Sequence, residues 1–219
     1  MKVRLAARDV TFGYESNRPI VASWSEDFEA GSMTAISGPS GSGKSTRLYL
    51  LALIIGLTHG SIELDGERVD NVSDAARAGV RARRFGFVFQ DAALDPTRSV
   101  LDNVLESALY RGAHRPSLVP TALSLLSEMD VSVPVSRRPG QISGGQAQRI
   151  AVCRALVGVP DVIFADEPTG NLDPGSAAAV LGMLRRRAEA GACVILVTHD
   201  PQVAARCDRR LELAEEVLR

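Results

Sequence analysis

Nine residues, Gly38 to Thr46, read GPSGSGKST. Gly38, Gly43, Lys44 and Ser45 fit the spacing GxxxxGK[ST], between an apolar run and a helix-forming one, which is the context this spacing needs. The chemistry is anion binding. Glycines let backbone N–H groups converge on phosphate oxygens, and the start of a helix adds positive potential. Gly38, Pro39, Ser40, Gly41, Ser42, Gly43, Lys44, Ser45 and Thr46 would form the cradle for a nucleotide. Lys44 would reach its β- and γ-phosphates, and the Ser45 hydroxyl would bind Mg²⁺. The chain has only two lysines, Lys2 and Lys44, and uses arginine everywhere else. An internal lysine therefore asks for a reason. The bland alternative is a glycine-rich turn before a helix.

A second stretch, FADEPTGNLD at 164–173, places Asp166 and Glu167 at the end of an apolar run. Buried acids are costly unless something needs them. A nucleotide-bound Mg²⁺ needs oxygen ligands, often through water, and Asp166 stands where a strand end would supply one. Glu167, one residue on, points elsewhere and can take a proton from a water attacking the γ-phosphate. The alternative is a strand-end turn with solvated acids. A third stretch, QISGGQAQR at 141–149, offers Ser143, Gly144, Gly145 and Gln146 at another helix start, a second anion site in the same chain. A small phosphate-loop kinase has no use for it.

Elements must hold these three stretches. KVRLAARDVTFGY alternates and reads as an edge strand, and FEAGSMTAISG as a turn and a strand into Gly38. Ser45 to Leu57 reads as a buried helix. GSIELDGERV reads as a hairpin turning at Asp65-Gly66, and RFGFVFQ as a strand ending at Gln90. Residues 91–157 are mostly helical signals, at Pro96–Tyr110, at Pro120–Met129 and from Gly144. Then come a buried strand at 161–166, a helix from Pro174 to Ala190 and a buried strand at 193–200. Apolar strands alternating with helices argue for an α/β fold with a parallel sheet covered on both faces, and the helical middle for an inserted lobe.

Composition narrows the class. With 219 residues, 45% hydrophobic and 23% charged, the chain has enough apolar mass for a core. A net charge of -1 provides no basic field for nucleic acid or anionic lipid. The arginine groups (81, 83 and 84; 137 and 138; 185 to 187) read as solvated faces. Cys153, Cys193 and Cys207 lack metal spacing and read as free thiols. The longest apolar run, Leu48 to Leu57, is about half a membrane span. The N-terminus carries no signal-peptide core, so work at a membrane would need a spanning partner.

ISGGQ resembles the signature of ABC-type ATPases, and the other motifs fall in that family's order. The resemblance covers essentially the whole chain. It implies one ABC ATPase domain over 1–219: a P-loop NTPase parallel-sheet core with an N-terminal antiparallel β portion and an α-helical subdomain inserted at about 91–157. It implies that Tyr14 stacks adenine, that Gln90 senses Mg²⁺ and the attacking water, that Asn171, Leu172 and Asp173 contact an opposite subunit, and that His199 contacts the γ-phosphate and orients Glu167. The metal set becomes Ser45, Gln90 and Asp166, and the cofactors ATP and Mg²⁺. DEPTGNLD, RRFGFVFQ and SVLDNV resemble the subgroup of LolD, MacB and FtsE, which powers lipoprotein release, macrolide or peptide efflux and cell-division signalling. From this follow the expected partners, a second ATPase subunit (a homodimer with ATP bound) and an FtsX-like permease, and a cytoplasmic place on the inner face of the cell membrane. Arg47, Tyr49 and the polar LDPTRSV at 94–100 depart from the family's pattern. The competing class is a soluble ABC-type ATPase acting on nucleic acid or ribosomes. The roughly hundred residues between phosphate loop and signature hold no heptads for the coiled coil that DNA-repair members carry. The tail LELAEEVLR has no assignment.

Overall fold

The computed structural model describes residues 2–15 and 18–214; the end of the LELAEEVLR tail lies outside them. The chain opens with β1 (Val3–Phe12), β2 (Val21–Glu29) and β3 (Met33–Ser37), followed by the phosphate loop and α1 (Lys44–Leu51). The Asp65-Gly66 hairpin joins β4 (His59–Leu64) to β5 (Glu67–Arg68), and α2 (Asp74–Arg84) leads into β6 (Phe85–Val88). Three helices then run in succession, α3 (Val100–Leu109), α4 (Arg115–Glu128) and α5 (Gly144–Leu156), packed on one another. The last elements are β7 (Val162–Asp166), α6 (Pro174–Glu189), β8 (Cys193–Val197), the short α7 (Pro201–Ala204) and β9 (Arg209–Glu212).

Two sheets result. Strands β2-β1-β4-β5 form an antiparallel sheet, and β6-β7-β8-β3-β9 a parallel one. The parallel strands β3, β7 and β8 are buried at every position. Their side chains alternate between two cores, as the period of two demands. Val162, Phe164 and Ile195 face the antiparallel sheet and α1, where Leu5, Phe28, Leu48 and Leu51 meet them. Ile163, Ala165, Val194 and Leu196 face the other way, onto Val104, Leu125, Ile150 and Val180 of the helices. Both faces of the parallel sheet are thus covered, and its strand ends open toward the phosphate loop.

Several sequence expectations need correction. The first strand is not at an edge, because β2 and β4 pair with β1 on either side. The helix after the phosphate loop stops at Leu51, not Leu57. Leu53 turns left-handed at φ 58°, and Arg81 takes its carbonyl at 2.7 Å. The strand before Gln90 ends at Val88, and the last buried strand ends at Val197, before the histidine motif. Helix α4 starts at Arg115 and carries Pro120 inside, and α3 starts at Val100 after a turn at Asp95–Arg98. The arginines at 81 and 84 are not a solvated face. Arg84 joins Asp65 (2.6 Å) and Asp161 across the two sheets, with Arg4 completing the cluster. The three cysteines are free thiols, and burial pushes Cys153 and Cys193 up to about 12.

Candidate nucleotide site

The loop from Gly38 to Gly43 leaves the end of β3 and enters α1 at Gly43, whose φ is 76°. A Cβ there would lie 2.8 Å from Arg47 Nη1 and 3.0 Å from Ile20 Cγ2. Gly41, at φ 81°, needs glycine for its backbone alone. Lys44 folds back, its Nζ donating to the carbonyls of Gly38 (2.9 Å) and Pro39 (2.6 Å). An ammonium has three donors, so one remains for a ligand above the loop. Arg47 donates to the Ser42 carbonyl at 2.8 Å and stacks over Trp24, closing the loop's far side.

The carboxylates arrive from β7. Asp166 is 4% exposed and its Oδ1 accepts from the Ser45 hydroxyl at 3.1 Å. Its Oδ2 accepts from the Tyr49 hydroxyl at 2.8 Å. Burial, then the hydrogen bond to Asp166, pushes the Tyr49 phenol up to about 12, so it remains a donor. Glu167 follows at φ 45°, held by its N–H on the Val197 carbonyl at 3.0 Å. A non-glycine residue in this region costs about 1–2 kcal/mol, and here it turns the side chain away from Asp166 toward β8. Glu167 Oε1 accepts from the His199 backbone N–H at 3.0 Å and lies 2.8 Å from His199 Nδ1. The histidine ring is 74% exposed while Glu167 is 14% exposed, so the imidazole covers the acid and faces outward.

These groups share one cleft of about 400 Å³, lined by Ser40, Gly41, Gly43, Lys44, Ser45 and Thr46 on one wall and by Gln90, Glu167 and His199 on the other. The structure therefore brings together the sequence-predicted loop, Gln90, Glu167 and His199, with Asp166 beneath. Oxygen donors from a hydroxyl and a carboxylate, with no cation paired to Asp166 among the described residues, fit a hard divalent cation.

Other predicted residues stand apart from that cleft. Tyr14 is 71% exposed, edge-on to Phe12 at 5.0 Å. Ser143 caps α5: its Oγ accepts from the Gln146 N–H (3.2 Å) while the Gln146 side chain accepts from the Ser143 N–H (3.0 Å). This capping box fixes the helix start with Gly144 and Gly145 bare beside it. Asp173 caps α6, accepting from Gly175 and Ser176 at 3.0 Å each, and Leu172 reaches toward Gly145. None of Ser143 to Gln146 lines the phosphate-loop cleft.

Two residues missed in the sequence hold the backbone on either side of Gln90. Gln148 donates to the Phe89 carbonyl at 3.0 Å, and Arg154 donates to the carbonyls of Ala93 and Ala92 at 2.7 Å each. Both project from α5, so the signature helix grips the loop that enters the cleft. Beyond that loop lies a larger groove of about 660 Å³, floored by Phe87 and Phe89 and walled by Ala75, Ala78, Glu106 and Tyr110.

The family model for ABC transporters matches residues 21–170. This chain belongs to the ABC transporter family. It is similar to the ABC transporter ATP-binding protein YbbA of Escherichia coli, 44% identical over 184 residues, covering 84% of this chain and 81% of that protein. The lipoprotein-releasing system ATP-binding protein LolD of Bordetella avium is 43% identical over 84% of this chain and 80% of its own length. A probable export ATP-binding/permease protein MacB of Pseudomonas entomophila is 41% identical over 85% of this chain. This chain spans only 28% of that longer protein. Among solved structures, the dimeric bacterial ABC transporter cassette MJ0796 superposes with a TM-score of 0.87 at 31% identity, over 96% of this chain and 94% of that one. A post-hydrolysis dimer of MJ0796 bound to ADP and Pi superposes at 0.86. The cassette is thus an ATP-binding one of the LolD and MacB kind, and its enzymatic chemistry is ATP hydrolysis. Among the described residues no helix is long and apolar enough to cross a membrane.

Proposed function

We propose that this cassette powers an FtsX-like membrane permease by ATP-driven closure of a dimer of cassettes, from a cytoplasmic position at the inner face of the cell membrane. One observation carries the reading: the phosphate-loop cleft holds Lys44, Gln90, Glu167 and His199, while the second anion-ready helix start, Ser143 to Gln146, is exposed elsewhere. A second copy turned head to tail would bring its Ser143–Gln146 onto the phosphates held by Gly38–Thr46, with Asp173 at the seam. The dimeric state of the MJ0796 cassette supports a pairing of copies.

In the closed pair, Tyr14 stacks the adenine and the third donor of Lys44 reaches the β- and γ-phosphates. Ser45, Asp166 and Gln90 would hold Mg²⁺, which would neutralise charge on the phosphoryl oxygens. Glu167 takes the proton from the attacking water, and His199 keeps the carboxylate aimed while its exposed edge meets the γ-phosphate. Residues 91–157 act as a lobe whose hold on the segment around Gln90, through Gln148 on Phe89 and Arg154 on Ala92 and Ala93, couples the cleft to the groove at Phe87 and Phe89. That groove suits a helix of the permease, because its floor is apolar and its walls carry both signs of charge, Arg81 and Arg154 beside Glu106.

The test has two arms. Glu167→Gln and Lys44→Ala should each lower hydrolysis at least about 100-fold; full activity in both would refute the mechanism. Tagged Glu167→Gln protein with ATP, drawn from membranes of the source cell and read by mass spectrometry, should bring down a multi-span protein. Ribosomal or DNA-bound proteins without a permease would favour the soluble class instead.

A further inference from the structure

Asp166 accepts two hydroxyl hydrogen bonds, and both donors come from one helix. Ser45 and Tyr49 stand four residues apart on α1, one turn, so their side chains reach the same carboxylate. The proposed metal set explains Ser45 on Oδ1; nothing in it calls for a hydroxyl on Oδ2. Nor is the tyrosine free to swing. Its ring lies 5.8 Å from that of Phe87, which in turn stacks on Phe164 of β7 at 6.0 Å and lies tilted against Phe89 at 4.2 Å. The aromatic set spans the helix after the phosphate loop, the strand leading to Gln90 and the strand carrying Asp166.

A carboxylate rotates about its last bond and can offer one oxygen or both. A fixed donor on Oδ2 removes that freedom and leaves Oδ1 facing Ser45. We propose that Tyr49 is a positioning residue that holds Asp166 in a one-oxygen presentation and so sets the affinity and selectivity of the cassette for its divalent ion. The inference rests on the reading that Ser45 and Asp166 hold that ion. A single presented oxygen suits a small octahedral cation such as Mg²⁺ or Mn²⁺, whereas a released carboxylate can turn bidentate, as Ca²⁺ accepts. Partners that orient a metal-binding side chain typically alter metal affinity about 10- to 100-fold when removed.

Tyr49→Phe tests this, because it deletes the hydroxyl and keeps the ring against Phe87. In a Glu167→Gln background, ATP affinity is measured by calorimetry in EDTA, in Mn²⁺ and in Ca²⁺, for Tyr49→Phe, for Asp166→Asn and for the parent. The quantity read is the factor by which each metal tightens ATP binding. Tyr49→Phe should reduce the Mn²⁺ factor about tenfold, narrow the difference between Mn²⁺ and Ca²⁺, and leave ATP affinity in EDTA unchanged. The electron paramagnetic resonance spectrum of bound Mn²⁺ should broaden relative to the parent. An unchanged Mn²⁺ factor in Tyr49→Phe, with a collapsed one in Asp166→Asn, would overturn the positioning role and spare the metal site. Equal losses with and without metal would show that the hydroxyl only supports the loop, which also overturns the inference. An Mn²⁺ factor untouched by Asp166→Asn would refute the metal reading itself and the inference with it.

Discussion

At the scale of single residues, the site rests on backbone conformations and buried charges that particular side chains impose. Gly43 enters α1 at φ 76° with Ile20 and Arg47 against its open side. Gly43→Ala adds a Cβ to a left-handed residue, which costs about 1–2 kcal/mol, and the loop should relax away from its phosphate-binding shape. ATP affinity should fall about tenfold, measured by titration with a fluorescent ATP analogue. Far from the cleft, Asp65 joins the two sheets through Arg84 and Arg4. Burial alone would raise its carboxyl, yet the hydrogen bond from Arg84 and the charges of Arg4 and Lys2 bring it below the usual range. A depressed carboxyl stabilises the fold above its unfolded value and loses that contribution as pH falls through the folded one. Asp65→Asn should therefore destabilise at pH 7 by about 1 kcal/mol, with the difference shrinking as pH falls through and below the usual carboxylate range, as read by urea denaturation at each pH. Lys44, Ser45, Asp166 and Glu167 stand out in the sequence as candidates, because phosphate and metal chemistry demand those residue types in that local spacing. The bond from Tyr49 to Asp166 does not: the two are far apart in the chain, and only the packing of α1 on β7 brings them together.

At the scale of elements, the signature helix does more than present its exposed start. Arg154 on α5 fills two carbonyls of the segment after Gln90, and burial pushes its guanidinium down, Glu106 opposing. Arg154→Met keeps the apolar stem and leaves both carbonyls without a protein donor. Stability should drop by about 1–3 kcal/mol, and amide hydrogen exchange should rise over residues 89–94 while β7 and β8 stay protected. Hydrolysis should fall through kcat, since the loop carrying Gln90 is no longer pinned. The buried strands β7 and β8 and the capped helix α6 were readable, because continuous apolar runs, a proline at the start and a glycine after the end are local signals. Helix α2 was not read at all. Its sequence DAARAGVRARR fully buries no residue, and its apolar face is built of Ala75, Ala78, Gly79 and Ala82, side chains too small to stand out among four arginines as a core-facing stripe. The order of strands was hidden for a related reason: the alternation in β1 says that it has two faces, not how many neighbours it has.

At the scale of the whole molecule, the proposed head-to-tail dimer makes the two anion-ready surfaces complete each other across copies. Lys44→Ala disables the phosphate-loop half and leaves the signature helix intact. Ser143→Arg does the reverse, placing a long side chain where a neighbour's phosphates would come, at about 1 kcal/mol for the lost cap. Each variant alone should be inactive, since both sites of its symmetric dimer are broken. Mixed in equal amounts, half of the dimers pair unlike chains. In those, the intact loop of one chain faces the intact signature of the other, while the second site carries both lesions. An isologous pairing therefore predicts that hydrolysis returns in the mixture, up to about a quarter of the parent value. That rate should vary with the square of concentration where the dimer is sparse. Recovery can arise only if catalytic groups are shared across copies, because neither chain contains a complete set. A mixture as silent as its components, under conditions where size-exclusion chromatography with ATP shows mixed dimers, would mean that one composite site cannot fire alone and that the two ATP molecules act as a unit.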